Sequence, residues 1–173
     1  MNRAIYWYRK SAEQGFHYSQ FVLASCYYSA GIYQDFEQAV YWYRKAAENG
    51  NADAQFRLAT LYRFGKNVQK DEKQAIYWLR KAVEQNYSDA QFFLGISYGT
   101  GSGVEQNDEQ CFYWVQKAAE QGDSEGQYQL AYNYFYGYGI EPNRKQAEYW
   151  FAKAAAQGHE DAIEACQKLE IKY

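Results

Sequence analysis

Apolar and polar positions follow a helical period along this chain, and the pattern returns at a fixed interval. The stretch "AVYWYRKAAENG" recurs as "AIYWLRKAVEQN", "CFYWVQKAAEQG" and "AEYWFAKAAAQG", and a related "AIYWYRKSAEQG" lies near the start. Trp7, Trp42, Trp78, Trp114 and Trp150 are spaced by 35, 36, 36 and 36 residues. A second segment precedes each later copy: "SQFVLASCY", "AQFRLATLY", "AQFFLGISY" and "GQYQLAYNY". In it, Ala54, Leu58, Leu61 and Tyr62 fall on one side of a helix. Ala39, Trp42, Tyr43, Ala46 and Ala47 do so in the other segment. The pattern therefore predicts two helices per repeat and ten in the chain.

Start and stop signals bound these helices. Asp35, Asp71, Asn107 and Asn143 stand at N-cap positions of the second helices, with Gln38, Gln74, Gln110 and Gln146 three residues on. That spacing predicts a reciprocal capping box. Each second helix closes on Gly15, Gly50, Asn86, Gly122 or Gly158, residues that tolerate a left-handed cap. Lys10, Lys45, Lys81, Lys117 and Lys153 lie in its last turns; Asp53, Asp89, Glu125 and Asp161 open the following helix. Both placements suit the helix dipole. The connectors "FGKNV", "GTGSGV" and "YGYGI" predict sharp turns. Ile32, Val68, Val104 and Ile140 are expected to plug the base of each hairpin.

One hairpin cannot bury both its faces, whereas stacked copies can. The expected fold is all-α: a right-handed α-solenoid of stacked antiparallel helix hairpins. Its expected organisation is a single domain over 1–173, with a half repeat at 1–15 and full repeats at 16–50, 51–86, 87–122 and 123–158. A capping helix at 159–173 completes it, where Cys166 and Glu170 replace the usual leucine and tyrosine. The opening on a second helix fits either a natural start or a fragment.

Composition narrows the function classes. The formal net charge of -3 supplies no basic excess for nucleic acid. Cys26, Cys111 and Cys166 form no paired spacing, which predicts free thiols in a reducing compartment. No apolar run approaches membrane-helix length. Those features favour a cytoplasmic protein, or a periplasmic or secreted one if a leader has been removed.

At 36 residues, "A-Q-F-x-L-x-x-x-Y", "G-x-G-V" and "A-x-x-W-x-x-K-A-A-E-Q-G" resemble the Sel1-like repeat family, relatives of the tetratricopeptide repeats. The resemblance covers essentially the whole chain. It implies an adaptor or scaffold that binds a protein or peptide partner in a concave groove lined by first helices. It also leaves open an immunity protein that neutralises a secreted toxin or enzyme. Some relatives with cysteine-paired repeats imply a more remote reading, β-lactam binding or hydrolysis. This chain lacks their paired cysteines and has no SxxK.

Comparing the copies with one another locates candidate contacts. On the first helices the variable positions are Val22, Ser25 and Ser29; Arg57, Thr60 and Phe64; Phe93, Ile96 and Thr100; and Gln129, Tyr132 and Tyr136. The expected partner-binding residues are Arg57, Thr60, Phe64, Phe93, Ile96, Gln129, Tyr132 and Tyr136, since aromatic and Arg side chains dominate binding hot spots. Packing between neighbouring repeats is the competing role for each. The constant Tyr6, Tyr41, Tyr77, Tyr113 and Tyr149 read as a packing ladder. Gln20, Gln55, Gln91 and Gln127 read as hydrogen-bond partners of neighbouring backbone. His17 and His159 lie in no metal or catalytic motif, and no phosphate or dinucleotide fingerprint occurs. No enzyme activity, cofactor or metal is expected.

Overall fold

The computed structural model describes residues 3–29, 31 and 34–173, and these are helical with short connectors. The chain divides into two compact units, Met1–Gln85 and Asn86–Tyr173. The first holds α1 (Arg3–Glu13), α2 (His17–Tyr28), α3 (Phe36–Glu48), α4 (Ala52–Phe64) and α5 (Glu72–Glu84). The second holds α6 (Ser88–Thr100), α7 (Asp108–Glu120), α8 (Ser124–Tyr136), α9 (Arg144–Ala156) and α10 (Glu160–Lys168). Ten helices and no strand are found among the described residues, as the periodicity predicts.

Within the first unit α2 packs on α3 and α4 on α5, while α1–α2 and α3–α4 contacts join the hairpins. The second unit repeats the plan: α6 on α7 and α8 on α9, joined by α7–α8 and α9–α10. The recurring leucines Leu23, Leu58, Leu94 and Leu130 are buried. So are the paired alanines Ala46–Ala47, Ala118–Ala119 and Ala154–Ala155, whose size lets the next helix approach closely. Cys166 is fully buried in the leucine position of α10, while Glu170 lies beyond that helix with φ of 56°.

The N-caps form as expected in one half only. Asp35, Asp71, Asn107 and Asn143 accept from the backbone N–H of Gln38, Gln74, Gln110 and Gln146. The reciprocal half of the box is replaced. The cap residue's own N–H donates to the carbonyl of Tyr27, Tyr62, Tyr98 or Tyr134 on the preceding helix, at 2.8–3.0 Å. The glutamines are left exposed. A carbonyl orphaned at a helix C-terminus thus satisfies a donor orphaned at the next N-terminus, which ties the recurring tyrosine to the hairpin register. In the first unit that tyrosine is also held by its hydroxyl, which accepts from Arg9 at Tyr27 and from Arg44 at Tyr62.

The buried glutamines form a second recurrent device. Gln20, Gln55 and Gln127 donate to the carbonyls of Ala12, Ala47 and Ala119 on the preceding helix. Their amide oxygens accept from Asn49, Gln85 and Gln157 at the end of the following helix. Gln91 accepts likewise from Gln121. A buried amide with both ends satisfied specifies stacking register at little desolvation cost.

Two expectations are corrected. The hairpin-base residues are poor plugs: Val68 and Val104 are half-buried and Ile140 is exposed, because the glycine turns carry them to the edge of the core; Ile32 lies outside the described residues. The tyrosine ladder is only partly packed. Tyr6, Tyr41, Tyr77, Tyr113 and Tyr149 are 44–50% exposed, and each ring meets the tryptophan next to it edge-on.

Candidate functional site

The variable stripe of the first helices stays outside the core in both units. In the first unit Arg57 and Phe64 are exposed on α4 and Thr60 is half-buried, its hydroxyl donating to the Arg57 carbonyl. In the second unit Phe93 and Ile96 are half-buried on α6, with the Phe93 ring edge-on to Phe92. On α8, Gln129 is half-buried and donates to Asn133 Oδ1 at 3.0 Å. Tyr132 is half-buried and Tyr136 is 53% exposed.

On α8 the stripe gathers into a shaped site. Tyr128, Tyr132 and Tyr136 follow one another at i, i+4 and i+8, a spacing that stacks side chains along one helix face. The Tyr132 and Tyr136 ring centroids are 4.4 Å apart. Tyr138, in the connector, lies 6.2 Å from Tyr132 and 5.9 Å from Tyr136. Gly137 brings it there: this residue has φ of 81°, ends α8 and turns the chain back over the helix face. The Tyr132 and Tyr136 rings border a cavity of about 170 Å³ between α8, α9 and α10. Tyr128, Phe135 and Phe151 line its interior, with Ala165, Lys168 and Leu169 of α10 on the far wall.

Electrostatics set the character of this cavity. Burial, then the negative field of Asp161, the Tyr136 phenol, Glu164 and Glu125, pushes the Tyr128 phenol above its ordinary pKa. Burial and the Tyr136 phenol do the same to Tyr132. Both hydroxyls are therefore neutral hydrogen-bonding groups at physiological pH. Lys168 is the cation on the wall, and Glu164 holds it at 2.5 Å. That pair raises the Lys168 pKa and lowers that of Glu164.

Both histidines serve local structure. His159 Nδ1 accepts from the Ala162 N–H at the start of α10, and its ring stacks on Tyr128 at 4.7 Å. His17 Nδ1 lies 3.4 Å from Asn51 Nδ2. Cys111 and Cys166 are buried free thiols whose pKa burial raises, and Cys26 is a half-buried free thiol. Among the described residues no three His, Cys, Asp or Glu side chains gather as a metal site requires.

Of the residues lining this cavity, Tyr132 and Tyr136 are among those expected from the sequence, and Tyr128, Lys168 and Leu169 are not. Tyr128 stands where the other copies carry Phe21, Phe56 and Phe92 and so reads as core. Lys168 and Leu169 reach the cavity from a neighbouring helix, which periodicity does not report. The constant tyrosines of the second helices are about half exposed. Their constancy reads as packing, yet Lys45, Lys117 and Lys153 lie over the Tyr41, Tyr113 and Tyr149 rings at 4.9–6.0 Å on an open surface.

Helical hairpins stacked through a repeating core define a helical-repeat protein. The chain belongs to the Sel1 repeat family, whose profile matches residues 1–16, 17–51, 52–87, 88–123 and 124–159. Proteins of this family generally bind other proteins. A Sel1 repeat protein of Oxalobacter formigenes is 36% identical, with a TM-score of 0.86 over 93% of this chain and 64% of that one. A protective antigen of uropathogenic Escherichia coli with an SLR fold is 38% identical, with a TM-score of 0.86 over 95% of this chain and 36% of that one. This chain therefore spans less than two thirds of either. An immunity protein of Pseudomonas aeruginosa shares the fold at 22% identity, with a TM-score of 0.57 over 91% of this chain and 58% of that one. No curated protein matches the sequence. Among the described residues no helix is long and apolar enough to cross a membrane.

Proposed function

We propose that this chain is a non-enzymatic adaptor that holds a protein or peptide partner on its first-helix face, with the tyrosine site of α8 as the principal contact. One observation carries the reading. Where α8 has Tyr132, the other copies have Ser25, Thr60 and Ile96; where it has Tyr136, they have Ser29, Phe64 and Thr100. Stacking does not demand tyrosine at either position, yet here the two rings meet each other, with Tyr138 beside them, and border a cavity. Tyrosine offers large contact area with few rotors to freeze, which is why it is enriched in binding surfaces. The half-buried Phe93 on α6 and the exposed Arg57 and Phe64 on α4 extend the same kind of surface within their own units.

The test is selection of a random peptide library on the full chain, followed by the double variant Phe93→Ala/Tyr132→Ala. The reading expects selected peptides to lose at least about tenfold in affinity for the variant, as loss of hot-spot rings does. It also expects the thermal midpoint to stay within about 3 °C of the parent, the scale of a surface substitution. A large drop in midpoint would make these residues core, and unchanged affinity would place the contact elsewhere.

A further inference from the structure

The net charge of the whole chain hides a division between its two units. Residues 1–85 carry twelve Lys and Arg against eight Asp and Glu, whereas residues 86–173 carry six against thirteen. The first unit is therefore cationic, which favours encounter with acidic partners. It also holds an open cavity of about 770 Å³, where α3, the end of α4 and α5 meet the α4–α5 connector. Arg44, Tyr62 and Trp78 are among its lining residues. Arg44 is exposed and Tyr62 is half-buried.

The charged groups of this lining are engaged, with one exception. Lys70 pairs with Glu72 at 2.8 Å, and Glu48, one turn beyond Arg44, faces Lys45 at 3.8 Å. Asp71 accepts the Gln74 N–H at the start of α5, where the helix dipole complements its charge. Among the described residues Arg44 meets no carboxylate; its guanidinium donates to the Tyr62 hydroxyl at 2.9 Å. Because Tyr62 accepts that bond, its own O–H is left to donate. Guanidinium and phenol thus offer donors side by side in the cavity. The preceding copy builds the same pair, Arg9 donating to the Tyr27 hydroxyl. In the second unit the corresponding second-helix positions are Gln116 and Ala152, so the cation is lost there along with the positive charge.

We infer that the first unit binds an acidic segment of a protein partner, seating a glutamate or aspartate carboxylate on Arg44 and Tyr62. A guanidinium takes a carboxylate through two parallel N–H bonds, and the Tyr62 O–H supplies a third donor. A cavity of about 770 Å³ has room for the residues on either side of that carboxylate. The site lies in the first unit and stands on charge, so it is independent of the α8 reading.

The experiment titrates the full chain with dye-labelled probes read by fluorescence anisotropy: the peptide Ala-Glu-Ala-Glu-Ala-amide, its glutamine analogue, its arginine analogue and a hexauridylate. Glutamine keeps the shape of glutamate and removes the charge. Nitrogen-15 labelling of arginine then shows by NMR whether the glutamate peptide moves the Arg44 Nε–H signal. The glutamate peptide should bind about tenfold tighter than the glutamine one, and weaken as salt is raised from about 50 to about 300 mM. Arg44→Gln should cost that peptide about tenfold, while Arg44→Lys, which keeps the charge and loses the fork, should cost about threefold. Tyr62→Phe should cost about threefold through the lost donor. Lys73→Gln, exposed on α5 outside the lining, removes the same charge from the same unit and should cost less than about twofold. Because Arg44 is exposed, thermal midpoints should stay within about 3 °C of the parent. Equal binding of the glutamate and glutamine peptides, or equal losses for Arg44→Gln and Lys73→Gln, would overturn the site. Tighter binding of the hexauridylate would reassign it to nucleic acid, and an Arg44 signal that shifts with protein concentration alone would reassign it to a second copy; either overturns the acidic-segment assignment. Each of these failures leaves the α8 reading to its own test.

Discussion

Gln55→Ala tests whether the buried glutamines hold the hairpins in register. Gln55 is 4% exposed on α4. Its Nε2 donates to the Ala47 carbonyl of α3 at 3.1 Å, and its Oε1 accepts from Gln85 Nε2 at 2.8 Å. Truncation removes both bonds, at about 1 kcal/mol each. Loss of the buried methylene next to Cβ, with its contacts, adds about 1 kcal/mol. No group is orphaned: the Ala47 carbonyl keeps the Gly50 N–H, and the exposed Gln85 amide returns to water. The expected loss is therefore about 3 kcal/mol, read as a lower urea midpoint at unchanged m-value. Gln55→Glu sharpens the test. A carboxylate there faces a carbonyl oxygen, and only its protonated form can donate. Its folded pKa must rise above the unfolded value of about 4.3. The variant's deficit should be smallest below about pH 4 and grow as pH rises, by about 1.4 kcal/mol per unit up to the folded pKa. A Gln55→Ala loss under about 0.5 kcal/mol, the range of a surface substitution, would refute the register argument. So would a pH-independent Gln55→Glu deficit.

Other substitutions probe single features. Gly139→Ala would place a Cβ 2.0 Å from the Asp108 carbonyl oxygen in a left-handed conformation. A loss of about 2–3 kcal/mol in chemical denaturation is expected, since backbone must move on both sides. Asp71→Ala removes the acceptor of the Gln74 N–H while leaving the cap residue's own N–H on Tyr62. It should cost about 1 kcal/mol, and loss of the hairpin's amide protection would contradict that division of roles. Thiol titration of the native chain should modify Cys26 well ahead of Cys111 and Cys166, whose burial keeps them protonated and covered. Prompt reaction of all three would contradict the packing of α7 and α10.

The repeat was legible because it is chemistry restated: one leucine, one tyrosine, one capping residue and one glycine per copy. Self-comparison gave helices, caps and the stacked core. It misread the capping box because Gln38, Gln74, Gln110 and Gln146 suggest a reciprocal acceptor for the cap residue's N–H, whereas a tyrosine carbonyl from the previous helix accepts that bond. It misread the constant second-helix tyrosines because recurrence signals a shared role without saying on which face. The candidate site was half legible. Tyr132 and Tyr136 depart from the other copies and so stand out, while Tyr138 and the α10 wall depend on a turn and on a contact between helices.

The central claim is that stacking leaves Tyr132 free for a partner. The direct measurement is peptide affinity and thermal midpoint for Tyr132→Ala, taken side by side on the full chain. The account predicts an affinity loss of about tenfold with the midpoint within about 2 °C of the parent. A fall of about 8 °C or more, the scale of a core truncation, with peptide binding retained by the folded fraction, would contradict it.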